Sequence, residues 1–260
     1  MLKPKVVILK AEGTNFDEET AYAFNQAGGN TRILLMSEVL KTPNVLRKFQ
    51  ILDFPGGFSY GDDLYSGKIW ANEINAYIRP ELDKFIKKGG IIFGVCNGFQ
   101  VLVRAGILPG FGEFNQTIGL IINKQAKFEC RWINLRLEES RCKFLEKSKI
   151  LQGPLTVEHG EGRFIIRDKG ILNTLLNNKQ IVFRYIEADG MPTENYPDNP
   201  NGSSHAIAGI CDTTGQVLGM MPHPEHFMKY WQYPNWRREK HLKPFGLEIY
   251  KSAISYLKKN

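Results

Sequence analysis

At 260 residues with 42% hydrophobic side chains, the chain is long enough to bury one large α/β core, and it has no run near the roughly 18 consecutive apolar residues of a membrane span. The net charge of +7 is spread over helix faces such as 84–88 and the tail Lys258-Lys259, without a nucleic-acid motif, so neither nucleic acid nor membrane is expected as a partner. Four scattered cysteines, Cys96, Cys130, Cys142 and Cys211, form no Cys-x-x-Cys pair and suit a reducing cytoplasm; an N-terminus that runs straight into a strand argues against a signal peptide.

In chain order, short apolar strands alternate with helical stretches: a strand at 6–9, a helix near 17–26, strands at 31–36 and 51–54, a helix near 69–88, a strand at 91–95 and its helix. That order predicts a parallel sheet covered on both faces. From 126 to 186 the pattern turns to strand-like runs at 128–133, 155–158 and 163–166, predicting a β-rich insertion or sheet extension. Residues 190–204 form a turn-rich loop, because strands resume at 206–211 and 217–221. An amphipathic helix at 247–257 closes a chain that reads as a single domain over 1–260.

The stretch Ile91-Ile-Phe-Gly-Val-Cys-Asn-Gly-Phe-Gln100 carries the strongest chemical signal. Gly-x-Cys-x-Gly at a strand-to-helix junction is the thiol counterpart of the Gly-x-Ser-x-Gly nucleophile elbow. Gly94 and Gly98 permit the tight turn, while the first turn of the helix offers unpaired N–H groups and a positive dipole end to a thiolate at Cys96. A thiol nucleophile needs a base, and the base needs an orienting group. Met221-Pro-His-Pro-Glu225 supplies His223 and Glu225 just past a strand's carboxyl end, the edge where open α/β sheets bind ligands. A metal on His223, Glu225 and His226 is not expected, since Pro222 and Pro224 keep them off one helical face. Phe54-Pro-Gly-Gly-Phe-Ser-Tyr-Gly-Asp-Asp63 follows another strand, and its Gly-Gly turn is a candidate oxyanion hole. The three features together describe acyl transfer through a thioester.

Pro55-Gly-Gly-Phe-Ser-Tyr-Gly-Asp62, Gly94-Val-Cys-Asn-Gly-Phe-Gln100, His159-Gly-Glu-Gly-Arg-Phe164 and Gly219-Met-Met-Pro-His-Pro-Glu225 resemble, in order and spacing, the class I (triad) glutamine amidotransferases. The resemblance is narrower to the glutaminase subunits of phosphoribosylformylglycinamidine synthases and covers nearly the whole chain. It implies a flavodoxin-like, open and mostly parallel α/β sheet with a β-rich extension. It also implies that Cys96 attacks the side-chain amide of L-glutamine, that His223 moves the proton and that Glu225 orients the ring. Gly57 and Phe58 with the Asn97 backbone would form the oxyanion site, Gln100 would lie near the glutamine, and His159, Glu161 and Gly162 would line the pocket or a partner interface. No cofactor is implied in this chain; ATP and Mg²⁺ belong to a large PurL-type synthetase subunit, with a small PurS-type accessory subunit beside it. An amidotransferase serving another synthetase, a different thiol hydrolase and a non-catalytic binding subunit stand as alternatives. Two residues depart from the family's usual pattern, Phe16 in place of Cys and His226 in place of Arg, and neither is expected to touch the triad. The aromatic segment 227–238 suggests packing or docking.

Overall fold

In a computed structural model that describes residues 3–112, 117–145, 148, 151–239 and 241–259, the N-terminal half alternates as the apolar pattern predicts. Its elements are β1 (Lys5–Lys10), α1 (Asp17–Gln26), β2 (Asn30–Leu35), α2 (Met36–Lys41), β3 (Ile51–Phe54), α3 (Lys68–Glu73), α4 (Arg79–Lys87), β4 (Ile91–Val95) and α5 (Asn97–Arg104). There follow β5 (Ile118–Ile121), β6 (Glu129–Leu137), β7 (Gln152–His159), β8 (Arg163–Ile166), α6 (Lys169–Asn177), β9 (Ile181–Ile186), β10 (Ile207–Cys211), β11 (Val217–Met220) and α7 (Phe245–Lys259).

Nine strands form one sheet in the order β2-β1-β3-β4-β11-β10-β9-β6-β7, while β5 and β8 pair separately. Pairing is parallel from β2 through β11 and antiparallel from there to β7. The division follows the connections: β1, β3 and β4 are separated by helices, which permit crossovers, whereas β10 and β11 are joined by a short turn that permits only a hairpin. That turn is held by Asp212, whose carboxylate accepts from the amides of Thr214, Gln216 and Val217. Helices on both faces leave β3 and β4 wholly buried, which explains why their residues are apolar apart from Asp53. On one face, Phe24 of α1, Phe93 of β4 and Tyr250 of α7 meet with ring centroids 4.6–6.1 Å apart.

The expected sheet extension is present, and its far edge curls back: Thr156 of β7 bridges to His223, just past the end of β11. Two local details go beyond the sequence pattern. The helix expected over 69–88 is present as an uninterrupted helical stretch, α3, a π-helical turn at Ile74–Ile78 and α4, and the widened turn precedes Pro80, which cannot continue an interior hydrogen-bond ladder and sits at the start of α4. The strand-like region also holds α6, capped by Asp168, whose carboxylate accepts from the Ile171 amide. No helix among the described residues is long and apolar enough to cross a membrane.

Candidate active site

The elbow is forced by close packing of α5 against β3. A Cβ on Gly98 would stand 1.8 Å from the Phe54 carbonyl oxygen, and one on Gly94 would stand 2.5 Å from Leu102 and 2.8 Å from the Gly98 oxygen. Between them Cys96 adopts φ 50°, ψ −106°, a sparsely populated conformation that costs of order 1–3 kcal/mol and persists only where the surroundings over-determine it. Its amide donates to the Met220 carbonyl at 2.8 Å, tying the turn to β11. Its sulfur lies 3.6 Å from the Glu158 carbonyl oxygen of β7.

His223 leaves the end of β11 with its amide donating to the Thr156 carbonyl at 2.8 Å. Its Nδ1 meets Glu225 Oε1 at 2.6 Å, both side chains fully buried, and Tyr250 donates to Glu225 Oε2 at 3.4 Å. Nε2 is buried with no hydrogen-bond partner among the described residues. Burial alone would push the imidazole pKa down, but the Glu225 carboxylate and the Cys96 sulfur outweigh it and hold it well above the usual value. Burial likewise acts to raise Glu225, yet the neighbouring His223, then His226, hold its carboxyl below the ordinary value. This is a dyad in which Glu225 selects the orientation of the ring and favours its protonated form, next to a thiol on a strained turn.

The glycine loop joins the elbow through Asn97. The Asn97 side chain accepts from the Ser59 amide at 3.3 Å and donates to Asp62 at 3.3 Å and to Gln100 at 3.0 Å. Gln100 in turn donates to the Glu161 carbonyl. Asn97 opens α5, where first-turn amides lack intrahelical acceptors. In this conformation the Phe58 amide is committed, donating to the Gly13 carbonyl at 3.1 Å, and Gly57 at φ 135° bridges to Thr14. Gly57, Phe58, Cys96, Gln100, His159 and Glu161 share a pocket of about 180 Å³. That is the scale of a single amino acid, well below the roughly 300–1,000 Å³ of drug- and cofactor-sized clefts. Gly162 does not reach the wall: a Cβ there would run into the His159 ring at 2.4 Å, and its amide donates to Asn123 at 3.0 Å.

One expectation is corrected. Phe16 and His226 do touch the His223 side chain, the first edge-on with centroids 4.9 Å apart, the second stacked at 4.9 Å with planes 8° apart. Sequence reasoning also missed Thr156 and Glu158 of β7, Tyr250 of α7, and Asp53, a fully buried carboxyl on β3 that burial and Glu225 raise well above its usual value. Asp53 alone carried a readable signal, an acid inside the apolar run Ile51-Leu-Asp-Phe54. The others act through pairing that no local pattern encodes.

Residues 3–257 match the family model described as a CobB/CobQ-like glutamine amidotransferase domain. A protein of Dehalococcoides mccartyi named phosphoribosylformylglycinamidine synthase subunit PurQ is 41% identical over 98% of both chains. One of the same name from Methanococcus maripaludis is 37% identical over 98% of both. The solved structure of PurLQS from Thermotoga maritima contains a similar chain, with TM-score 0.73 and 25% identity over 98% of this chain and 100% of that one. With the nucleophile elbow, the buried His–Glu pair and the glycine loop meeting at one small pocket, this chain belongs to the glutamine amidotransferase family.

Proposed function

We infer that this chain is the glutaminase subunit of a phosphoribosylformylglycinamidine synthase, hydrolysing L-glutamine and delivering ammonia to a PurL-type synthetase subunit. The ammonia converts formylglycinamide ribonucleotide to the formylglycinamidine ribonucleotide of purine biosynthesis. The observation that carries the reading is similarity along nearly the full length of both chains to proteins of that name. The residue roles rest on the arrangement around the pocket.

In the reaction, the Cys96 sulfur adds to the amide carbon of glutamine while its proton passes to His223, held by Glu225. Collapse of the adduct breaks the C–N bond, and His223 returns the proton to the leaving ammonia. Water then attacks the thioester with His223 as base, releasing glutamate and restoring the thiol. The developing oxyanion needs aimed N–H groups, which the Asn97 backbone and the Gly57-Phe58 turn would supply. Because the Phe58 amide is bound to Gly13 in the chain alone, the site is completed when a docked partner shifts this loop. Isolated turnover is then low, and removal of one oxyanion donor, typically about 10²–10³-fold, bounds the activation. No cofactor is assigned to this chain; ATP and Mg²⁺ act on the synthetase, a small PurS-type subunit completes the complex, and the compartment is the cytoplasm.

The test is synthesis by the reconstituted complex with glutamine or ammonia as nitrogen donor. Cys96→Ala abolishes the glutamine-supported reaction and spares the ammonia-supported one. A variant that still hydrolyses glutamine near the parent's rate refutes the nucleophile assignment. Fast hydrolysis by the isolated chain, unchanged on adding the loaded synthetase, refutes the activation.

A further inference from the structure

The family mechanism uses one histidine, yet a second lies parallel to it. The His226 ring stacks on His223 at 4.9 Å with planes 8° apart, and Phe16 meets both rings edge-on at 4.9 and 5.0 Å. His226 is itself fixed from β7: its Nδ1 is 2.8 Å from Thr156 Oγ1 and 3.3 Å from Glu158 Oε1. The same two residues hold the other parts of the site, since the Thr156 carbonyl accepts the His223 amide and the Glu158 carbonyl faces the Cys96 sulfur. Behind His226 opens a surface pocket of about 550 Å³, lined by Glu18, Glu19, Tyr22, Glu225, His226 and Gln232. His226 is partly exposed there, whereas His223 has no exposure.

We propose that His226 is a positioning residue for His223. The bond at Nδ1 selects which edge of the imidazole meets Glu225, but a single bond at one ring atom restrains the tilt of the ring plane less than contact on its faces does. A parallel ring on one face and the Phe16 edge beside it hold the plane in which Nδ1 meets Glu225 and Nε2 is left for the Cys96 proton. The stacked ring also covers the side of His223 nearest the pocket behind; Glu225 contributes to that pocket's wall, but both side chains of the pair stay buried, where their attraction is strongest.

This inference rests on the reading of His223 as the base toward Cys96. The test measures Cys96 alkylation by iodoacetamide near neutral pH in the full chain, located by peptide mass, alongside kcat and KM for glutamine in the loaded complex. His226→Ala slows alkylation and lowers kcat by about 3–10-fold, the rate equivalent of one lost aromatic pair. KM is unchanged, because His226 is not on the wall of the glutamine pocket. His226→Phe, which restores a ring face, recovers most of both. Alkylation and kcat equal to the parent's in His226→Ala, or equal losses in the Ala and Phe variants, overturn the proposal; so does a loss that merely tracks the fraction folded. Failure of the underlying reading has a separate signature: His223→Ala would then leave Cys96 alkylation at the parent's rate.

Discussion

His159 should make this protein acid-sensitive in a window that can be worked out from its bonds. The ring is buried, with Nδ1 3.1 Å from Asn123 Oδ1 and Nε2 3.4 Å from Asn201 Nδ2. Asn201 cannot reverse its amide, because its Oδ1 accepts from the Ser203 amide and hydroxyl while Nδ2 donates to the Gly162 carbonyl. The neutral ring with its proton on Nδ1 therefore satisfies both neighbours, whereas a protonated ring would point an N–H at another donor. Burial, with a further push from the charge on His223, lowers the pKa from 6.5 to about 3. Between those values the unfolded chain binds a proton that the folded one refuses, so stability rises with pH across the window and is complete above the unfolded value. At 1.36 kcal/mol per unit, the full penalty below about pH 3 is about 5 kcal/mol, of which about 3 kcal/mol has developed by about pH 4. Urea unfolding followed by tryptophan fluorescence, for the parent and His159→Asn, isolates it, since other acid-titrating groups cancel in the difference. The parent should lose about 3 kcal/mol relative to the variant between about pH 7 and about pH 4. A difference that stays flat over that range refutes the neutral, locked ring.

Asp53 predicts the opposite slope. Both its oxygens lack hydrogen-bond partners among the described residues and its pKa lies well above 3.8, so the folded chain keeps a proton that the unfolded chain loses, and Asp53→Asn should gain in Tm over the parent as pH rises from acid to neutral; a pH-independent difference refutes this. Gly98→Ala, whose new methyl meets the β3 backbone, should lose more than the roughly 1–3 kcal/mol of ordinary overpacking. Gly61→Ala, in open space at φ 67°, should cost only the roughly 1–2 kcal/mol of a left-handed residue; similar Tm losses in the two would contradict the packing account. An electrophilic glutamine analogue should label buried Cys96 and leave exposed Cys130 unmodified by peptide mass mapping, because recognition in the pocket and not exposure decides the reaction.

What could be read from the residues follows a physical division. Period, turn chemistry and strand-end motifs are local, so the parallel half of the sheet, the elbow at Cys96 and the His223–Glu225 pair were all visible in short windows. The contributions of β7 were not, because Thr156 and Glu158 reach the site only after the sheet has run through β10, β9 and β6 and curled back. The aromatic environment of His223 shows the limit most clearly. Phe16 and His226 stand out in sequence only as departures from a family pattern, 210 positions apart, and nothing local connects them. In the fold they meet at 5.0 Å, each against the same imidazole. An edge at position 16 and a flat face at position 226 fill the space around His223 together. On that account either replacement alone should disturb the ring more than both together, because neighbours that share a partner are coupled and not additive. A double-mutant cycle of Phe16→Cys and His226→Arg, read by Cys96 alkylation, should therefore show the pair recovering part of what each single change loses. Strictly additive losses would mean that the two side chains serve His223 independently.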